Sequence, residues 1–440
     1  MYINIKISFR KTLAASLALL LVVGCLLSAC TGGNTSPSQS VSGGYPSLDL
    51  PDWYGYSWVR DTEFNSLDTQ EQLSRIITVS LGEYFWTQIN AIKVAPNEDV
   101  YAAGLAARSE SDSATALITR CDSNLNLIKS VEVPNSSSCA TLEVDTEGNI
   151  YVPCETEDGK YLIVKYSSEL DEICRQEVEP NASFTSIGFA DDGSLYMCGN
   201  LGTSNVASDA IIAKYSTELE LVGYQTWSGE YKSDNFTRLS VAVDGSVFVI
   251  GDTQDEYPLI RPVLRKYSAD LSFLAEVSVE PAGTHDRFID LALAPNGSVY
   301  TILSSYDSFA GNLMTVIKYT SALEELGTTI LADEVTSVAN LPSQFRSFFL
   351  LDRIVVDRNG LVYCLGYQNA FAGSSDTRDF LVVIVLSDEL SILNVALLAI
   401  LPINNGFNNL AVCLSDNADL YIAGCYVDFS TEPTCVQIVK

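Results

Sequence analysis

A single histidine serves 440 residues, and only 25 lysines and arginines stand against 55 aspartates and glutamates. One imidazole cannot build a two-histidine zinc site, and without a partner His285 is read as a loop residue rather than a base. The shortage of cations leaves a formal net charge of −30, which repels phosphate backbones and sets nucleic acid aside as a partner. CxxC, GxSxG, GxxxxGK and GxGxxG are missing, and with them the zinc-ribbon, serine-hydrolase and nucleotide signatures, so neither a cofactor nor a metal is expected. No turn reads D-x-[DN]-x-[DN]-G, although calcium stays open in so acidic a chain. Helical periodicity of useful length is also lacking. Charged residues make up only 18%, but 22 tyrosines and 17 phenylalanines supply enough apolar surface to exclude disorder outside short segments.

What is present begins with an export signal. Lys6, Arg10 and Lys11 precede a nearly unbroken apolar run from Leu13 to Leu27, which closes on Leu27-Ser28-Ala29-Cys30. A basic start, a short apolar core and small residues follow the order of a secretory signal, and the run is shorter than the ~20 residues that span a bilayer. The segment resembles a bacterial lipoprotein signal peptide with its lipobox. That resemblance implies loss of residues 1–29, lipid on Cys30, and a chain anchored in the cell envelope on its extracytoplasmic side. Val22-Val23-Gly24-Cys25 is a poorer second match. Residues 30–47 read as a flexible Gly/Ser/Pro/Thr tether. Residues 48–73 are an aromatic lead-in carrying Trp53, Tyr54, Tyr56 and Trp58, either packed on the domain or a ligand-binding strip.

From residue 74 to 440 one unit recurs: an alternating strand, a turn with Asp, Asn or Gly, an aromatic strand, a long loop, and a strand ending in Lys-Tyr. The aromatic is Tyr101, Tyr151, Tyr196, Phe248, Tyr300, Tyr363 and Tyr421, at intervals of 50, 45, 52, 52, 63 and 58. Three residues on stand Gly104, Cys154, Gly199, Gly251, Leu303, Gly366 and Gly424. Lys165-Tyr166, Lys214-Tyr215, Lys266-Tyr267 and Lys318-Tyr319 end the third strand, with Arg120-Cys121 and Val385-Leu386 as divergent forms. A leucine follows four residues later, at Leu125, Leu170, Leu219, Leu271, Leu323 and Leu390, and leads into a fourth alternating run. Four short strands in about 50 residues make a propeller blade. The seventh unit reaches Lys440 without a fourth strand, and Ile76–Leu81 is an orphan strand ahead of the first. The sequence therefore predicts an all-β, seven-bladed propeller closed by an N-terminal strand that completes the last blade.

Units of the form LEVDTEGNIYV…YLIVKYSSEL resemble the β-propeller repeats of bacterial surface proteins, the SBBP-type and NHL-type group. The resemblance implies the fold and leaves function open, since members bind, scaffold or act on varied partners.

Loops joining strands two to three, and four to the next blade's one, share a face. Here they are long at Leu105 to Ser113, Asn200 to Asp209, Asp252 to Ile260, Ser304 to Asn312, Tyr367 to Asp379 and Leu331 to Ser347. Elaborated loops on a rigid scaffold are where binding concentrates. That face gathers Asp252, Asp255, Tyr257, His285, Asp286, Arg287, Tyr306, Asp307, Tyr367, Arg378 and Asp379, a mixture suited to sugars, cationic ligands or a protein surface. Nine cysteines follow Cys30. Cys139 with Cys154, and Cys425 with Cys435, are placed to pair across hairpins, and free buried thiols are the equal alternative. The reading is a monomeric surface lipoprotein that binds a protein or glycan without catalysis. The alternatives are a glycan lyase or glycosidase using loop carboxylates, because paired acids leave no motif, and an envelope-assembly scaffold.

Overall fold

The computed structural model describes residues from 84 to 439 except for several stretches, the longest being 332–348, 370–378, 400–407 and 426–436. The signal, tether and aromatic lead-in all lie outside the described residues. The repeats fold as antiparallel sheets in which each strand pairs with the next along the chain. Second and third strands are buried on both sides, as in Val247–Gln254 and Ile260–Tyr267, which is why they read as continuous apolar runs. Fourth strands such as Glu172–Glu177 face solvent and alternate weakly. Neighbouring sheets pack face to face: Phe248, Ile250 and Leu264 of the fourth blade share a core with Phe288, Leu291 and Val299 of the fifth.

The number of blades corrects the sequence reading. The described residues form six complete blades, not seven, and a partial seventh sheet of three strands, Asn408–Leu414, Leu420–Cys425 and Gln437–Val439. In the second blade the inner strand is broken into Ser136–Cys139 and Glu143–Val144. The aromatic landmarks mark second strands, whereas a blade needs its outer strand as well, and the last repeat reaches Val439 on its third. Ile76–Leu81, expected to complete it, lies outside the described residues. The partial sheet packs against the first blade through Ala411, Cys413, Tyr421 and Ala423 on Ile89, Ile92 and Leu117.

Each landmark has a physical cause. The seven aromatics are all buried. Tyr101, Tyr196 and Tyr300 donate from their hydroxyls to Ser168 O, Ala269 O and Asp388 Oδ1 in the next blade's outer turn, each at 2.7 Å. The lysines of the Lys-Tyr pairs reach the same turns: Lys165 to Thr217 O at 3.1 Å, Lys214 to Ala269 O at 3.0 Å, and Lys266 to Ser321 O at 2.9 Å. Their ammonium groups lie over Tyr151, Tyr196 and Phe248 at 5.0, 5.2 and 5.1 Å. Sixth-blade Val385 lacks this reach, and among the described residues the seventh sheet has no outer turn for it to hold.

The leucines Leu125, Leu170, Leu219, Leu271, Leu323 and Leu390 occupy the left-handed region, with φ between 56° and 67°, in outer turns closed by contacts such as Leu219 N to Ser216 O at 3.0 Å. That backbone costs a leucine about 1 kcal/mol or more. Burying its side chain, as all six do, is worth about 1.5–3 kcal/mol and outweighs the strain.

Candidate functional site

The first strands of five blades carry a bulge at one level, between Ile89 and Ala91, Phe184 and Ser186, Phe236 and Arg238, Phe288 and Asp290, and Leu351 and Arg353. The bulge presses a carbonyl of the first strand onto the second. A Cβ on Gly104, Gly199, Gly251 or Gly366 would meet Gln88 O, Ser183 O, Asn235 O or Leu350 O at 2.0 Å or less. In these four blades the close carbonyl leaves room only for glycine three residues after the aromatic, whereas the fifth blade carries the same bulge with Leu303 at that position.

At the level of the bulges, polar side chains link neighbouring blades. Thr185 donates to Phe236 O at 2.9 Å, Asp290 Oδ2 accepts from Ile354 N at 2.9 Å, and Asp352 Oδ2 accepts from Leu410 N at 3.2 Å. Lys93 pairs with Glu143 at 2.7 Å between the first two blades.

Above this belt, on the face of the second-to-third loops, a cleft of about 970 Å³ spans blades two to five. Its walls are the loop-side ends of first and second strands: Ser183 and Thr185, Ser233, Asn235 and Thr237, then Asn200 and Gln254. Glu155, Asp158 and Tyr161 close it at blade two, while Arg238, Asp252, Arg287 and Phe288 line it at blades four and five. Arg238 lies 3.8 Å from Asp290, and Arg287 3.8 Å from Asp252. Burial raises the Asp252 carboxyl above its ordinary value, with Arg287 opposing. Burial and the nearby Arg353 cation push the Arg238 guanidinium below its ordinary value, with Asp290 opposing. Asn235, directly across the ladder from Asp252, has a buried Oδ1 without a hydrogen-bond partner among the described residues.

Of the residues singled out from sequence, the cleft brings together Asp252 and Arg287. Asp286 is buried at 1% exposure instead of solvated, and does not line it. Tyr306, Asp307, Tyr367 and Asp379 stand on strands, not loops: the hairpin of the fifth blade continues to the pair Asp307 and Gly311, so Ser304 to Asn312 is mostly ladder. Asp255, Tyr257, His285 and Arg378 lie outside the described residues, as does Cys30. Thr185, Asn235, Thr237 and Arg238 were missed because inner strands were read as scaffold. Their signal was a run of polar residues flanking a buried Phe, as in Phe184-Thr185-Ser186 and Asn235-Phe236-Thr237-Arg238.

Cys139 and Cys154 oppose each other in the ladder as free thiols. Burial pushes Cys139 up to about 12, so at neutral pH it is not a thiolate nucleophile. Cys425 and Cys435 have no described side chains. Among the described residues no cluster of three or more His, Cys, Asp or Glu converges on a point.

No family model matches the chain. No curated protein matches it. Its likeness is to solved propellers. A PL25 ulvan lyase bound to -[GlcA(1-4)Rha3S]- superposes with a TM-score of 0.52 at 10% identity, over 82% of this chain and 94% of that one. The same type of lyase without the sugar gives 0.52 at 9%, over 81% and 95%. The propeller domain of the trilobed protease from Pyrococcus furiosus gives 0.46 at 11%, over 80% and 95%. The chain is a β-propeller. At such identities the likeness is one of fold, and the SBBP or NHL grouping has no sequence match behind it.

Proposed function

We propose that the protein is a lipid-anchored, extracytoplasmic propeller that binds a glycan in the cleft over blades two to five. The observation that carries this reading is the lining: neutral hydroxyl and amide groups from Ser183, Thr185, Asn200, Asn235, Thr237 and Gln254, together with Tyr161, in a concave space of about 970 Å³. Hydroxyl-rich ligands need many modest donors and acceptors at fixed positions, and side chains on strand ends supply them with little entropy left to lose. A protein partner prefers a flatter, more apolar surface. The ulvan lyase propeller, which is bound to a sugar chain, supports the reading to the extent of showing that this architecture accommodates one.

Asp252 favours a second reading. A carboxyl whose pKa is raised by burial is the form a general acid takes, and Glu155 and Asp158 provide further carboxylates in the same cleft. The test is to incubate the full chain, purified in detergent, with a panel of bacterial and host polysaccharides and score retained protein and released sugar together. Retention without release supports binding. Release transfers the case to Asp252, and neither result would reject both readings and direct the search to a protein partner.

A further inference from the structure

In a chain of net charge −30, arginines are expected to be held by carboxylates, and six of the nine described ones have a carboxylate oxygen within 3.3 Å. Arg108, Arg120, Arg175 and Arg265 have carboxylate oxygens at 2.5–2.7 Å. The two arginines of the cleft do not. Arg238 keeps 32% of its side chain exposed and meets Asp290 only at 3.8 Å, beyond hydrogen-bond length. Its one hydrogen bond among the described residues goes to Thr237 O at 3.2 Å, out of the five N–H donors a guanidinium carries. Asp290 is meanwhile occupied by Ile354 N at 2.9 Å. Arg287 is 53% exposed on the rim and likewise 3.8 Å from its nearest carboxylate, Asp252.

The charges of the cleft are also sorted along it. Glu155 and Asp158 mark the blade-two end, and both loosely held guanidinium groups mark the other, where Asp252 is the one carboxylate of the lining. An anion entering at blades four and five would meet unfilled donors in a low-dielectric recess, where charge-assisted bonds are strongest.

We propose that the cleft's ligand is an acidic glycan, and that Arg238 and Arg287 take its carboxylate or sulfate while neutral sugar units extend toward blade two. This rests on the glycan reading above. The uncharged side chains of the middle then recognise sugar hydroxyls, and Glu155 and Asp158 reject a second anion at the far end, fixing the direction in which the chain lies.

The experiment measures retention of the full chain, in detergent, on gels containing polygalacturonate, its carboxyl-reduced neutral form, a sulfated galactan or its desulfated form. The expected result is retention on at least one acidic polymer, weakened about tenfold or more when its charge is removed. The charge that matters identifies carboxylate or sulfate. Arg287→Gln, on the exposed rim, and Arg238→Gln should each lower affinity for the acidic polymer by about tenfold, with Arg287→Gln keeping the wild-type melting curve. Equal retention on charged and neutral forms, or an unaffected Arg287→Gln, would overturn the acidic class while leaving the glycan reading standing. No retention on any polymer would overturn both.

Discussion

The Tyr196 hydroxyl and the Lys214 ammonium of the third blade donate to one carbonyl of the fourth, Ala269 O, at 2.7 and 3.0 Å. The lysine also lies over the tyrosine ring at 5.2 Å. Because they share an acceptor, their contributions to stability are not independent. Removing one leaves the carbonyl satisfied by the other, whereas removing both strands it at the junction. Tyr196→Phe and Lys214→Met should each cost about 1 kcal/mol, and the double variant more than their sum. Urea unfolding of the four proteins measures this, and simple additivity would refute the shared acceptor.

The fourth blade offers the converse. Phe248 fills the tyrosine position, and Ser321 O accepts only the Lys266 bond of the pair seen elsewhere. Phe248→Tyr should supply the missing donor and stabilise by about 0.5–1.5 kcal/mol. A lower unfolding midpoint would show that the ring cannot take the hydroxyl.

Leu219, held at φ 65° with 1% exposure, predicts an inverted order of substitutions. Leu219→Ala loses the buried side chain and keeps the strain, while Leu219→Gly loses the side chain and relieves it. Alanine should therefore be the more damaging by about 1 kcal/mol, against the usual rule for glycine. Equal losses would mean that the turn relaxes.

Gly251→Ala would bring a methyl to 2.0 Å of Asn235 O. The first strand must move, at a cost of about 3 kcal/mol or more, and it carries Asn235, Thr237 and Arg238 with it. Reduced stability and reduced glycan retention should appear together. Wild-type retention in the folded variant would separate the bulge from the site.

Repeat and turn chemistry were legible because each depends on one residue type at one position: aromatics that fill a junction, glycines under a bulge, leucines in left-handed turns. Blade number was misjudged because the landmarks mark second strands and are silent about outer ones. The site was half legible. Loop length pointed to the face of the candidate cleft and singled out Asp252 and Arg287 of its lining, but Asn235 and Arg238 flank a one-residue bulge on an inner strand, which breaks the two-residue alternation that a sequence reading relies on.

Asp252 gives the pH dependence. Its pKa is raised on folding, so the folded protein retains a proton there at a pH where the unfolded chain, near 4, has lost it. Its ionisation then opposes folding, and stability from this group falls as pH rises above about 4 toward the folded value. Asp252→Asn removes that loss. Its melting temperature relative to wild type should climb between pH 4 and pH 7, and a constant difference would mean that Asp252 ionises as freely as in the unfolded chain.

For the anchor, Cys30→Ser should move the protein from the membrane fraction to the soluble fraction and abolish labelling by a palmitate analogue. Continued labelling with Cys25 intact would reassign the lipid to that residue.

The shared bulge separates two kinds of information in the chain. Ladder, turn and junction residues are constrained by neighbours that repeat from sheet to sheet, but positions 90, 185, 237, 289 and 352, the residues skipped in the ladder, hold Asn, Thr, Thr, Ile and Asp. The fold tolerates a hydroxyl, a hydrocarbon or a charge there. Each of these five blades thus presents a socket whose occupant can be exchanged without rewriting the repeat, and the chemistry offered there can change one blade at a time while the architecture stays fixed.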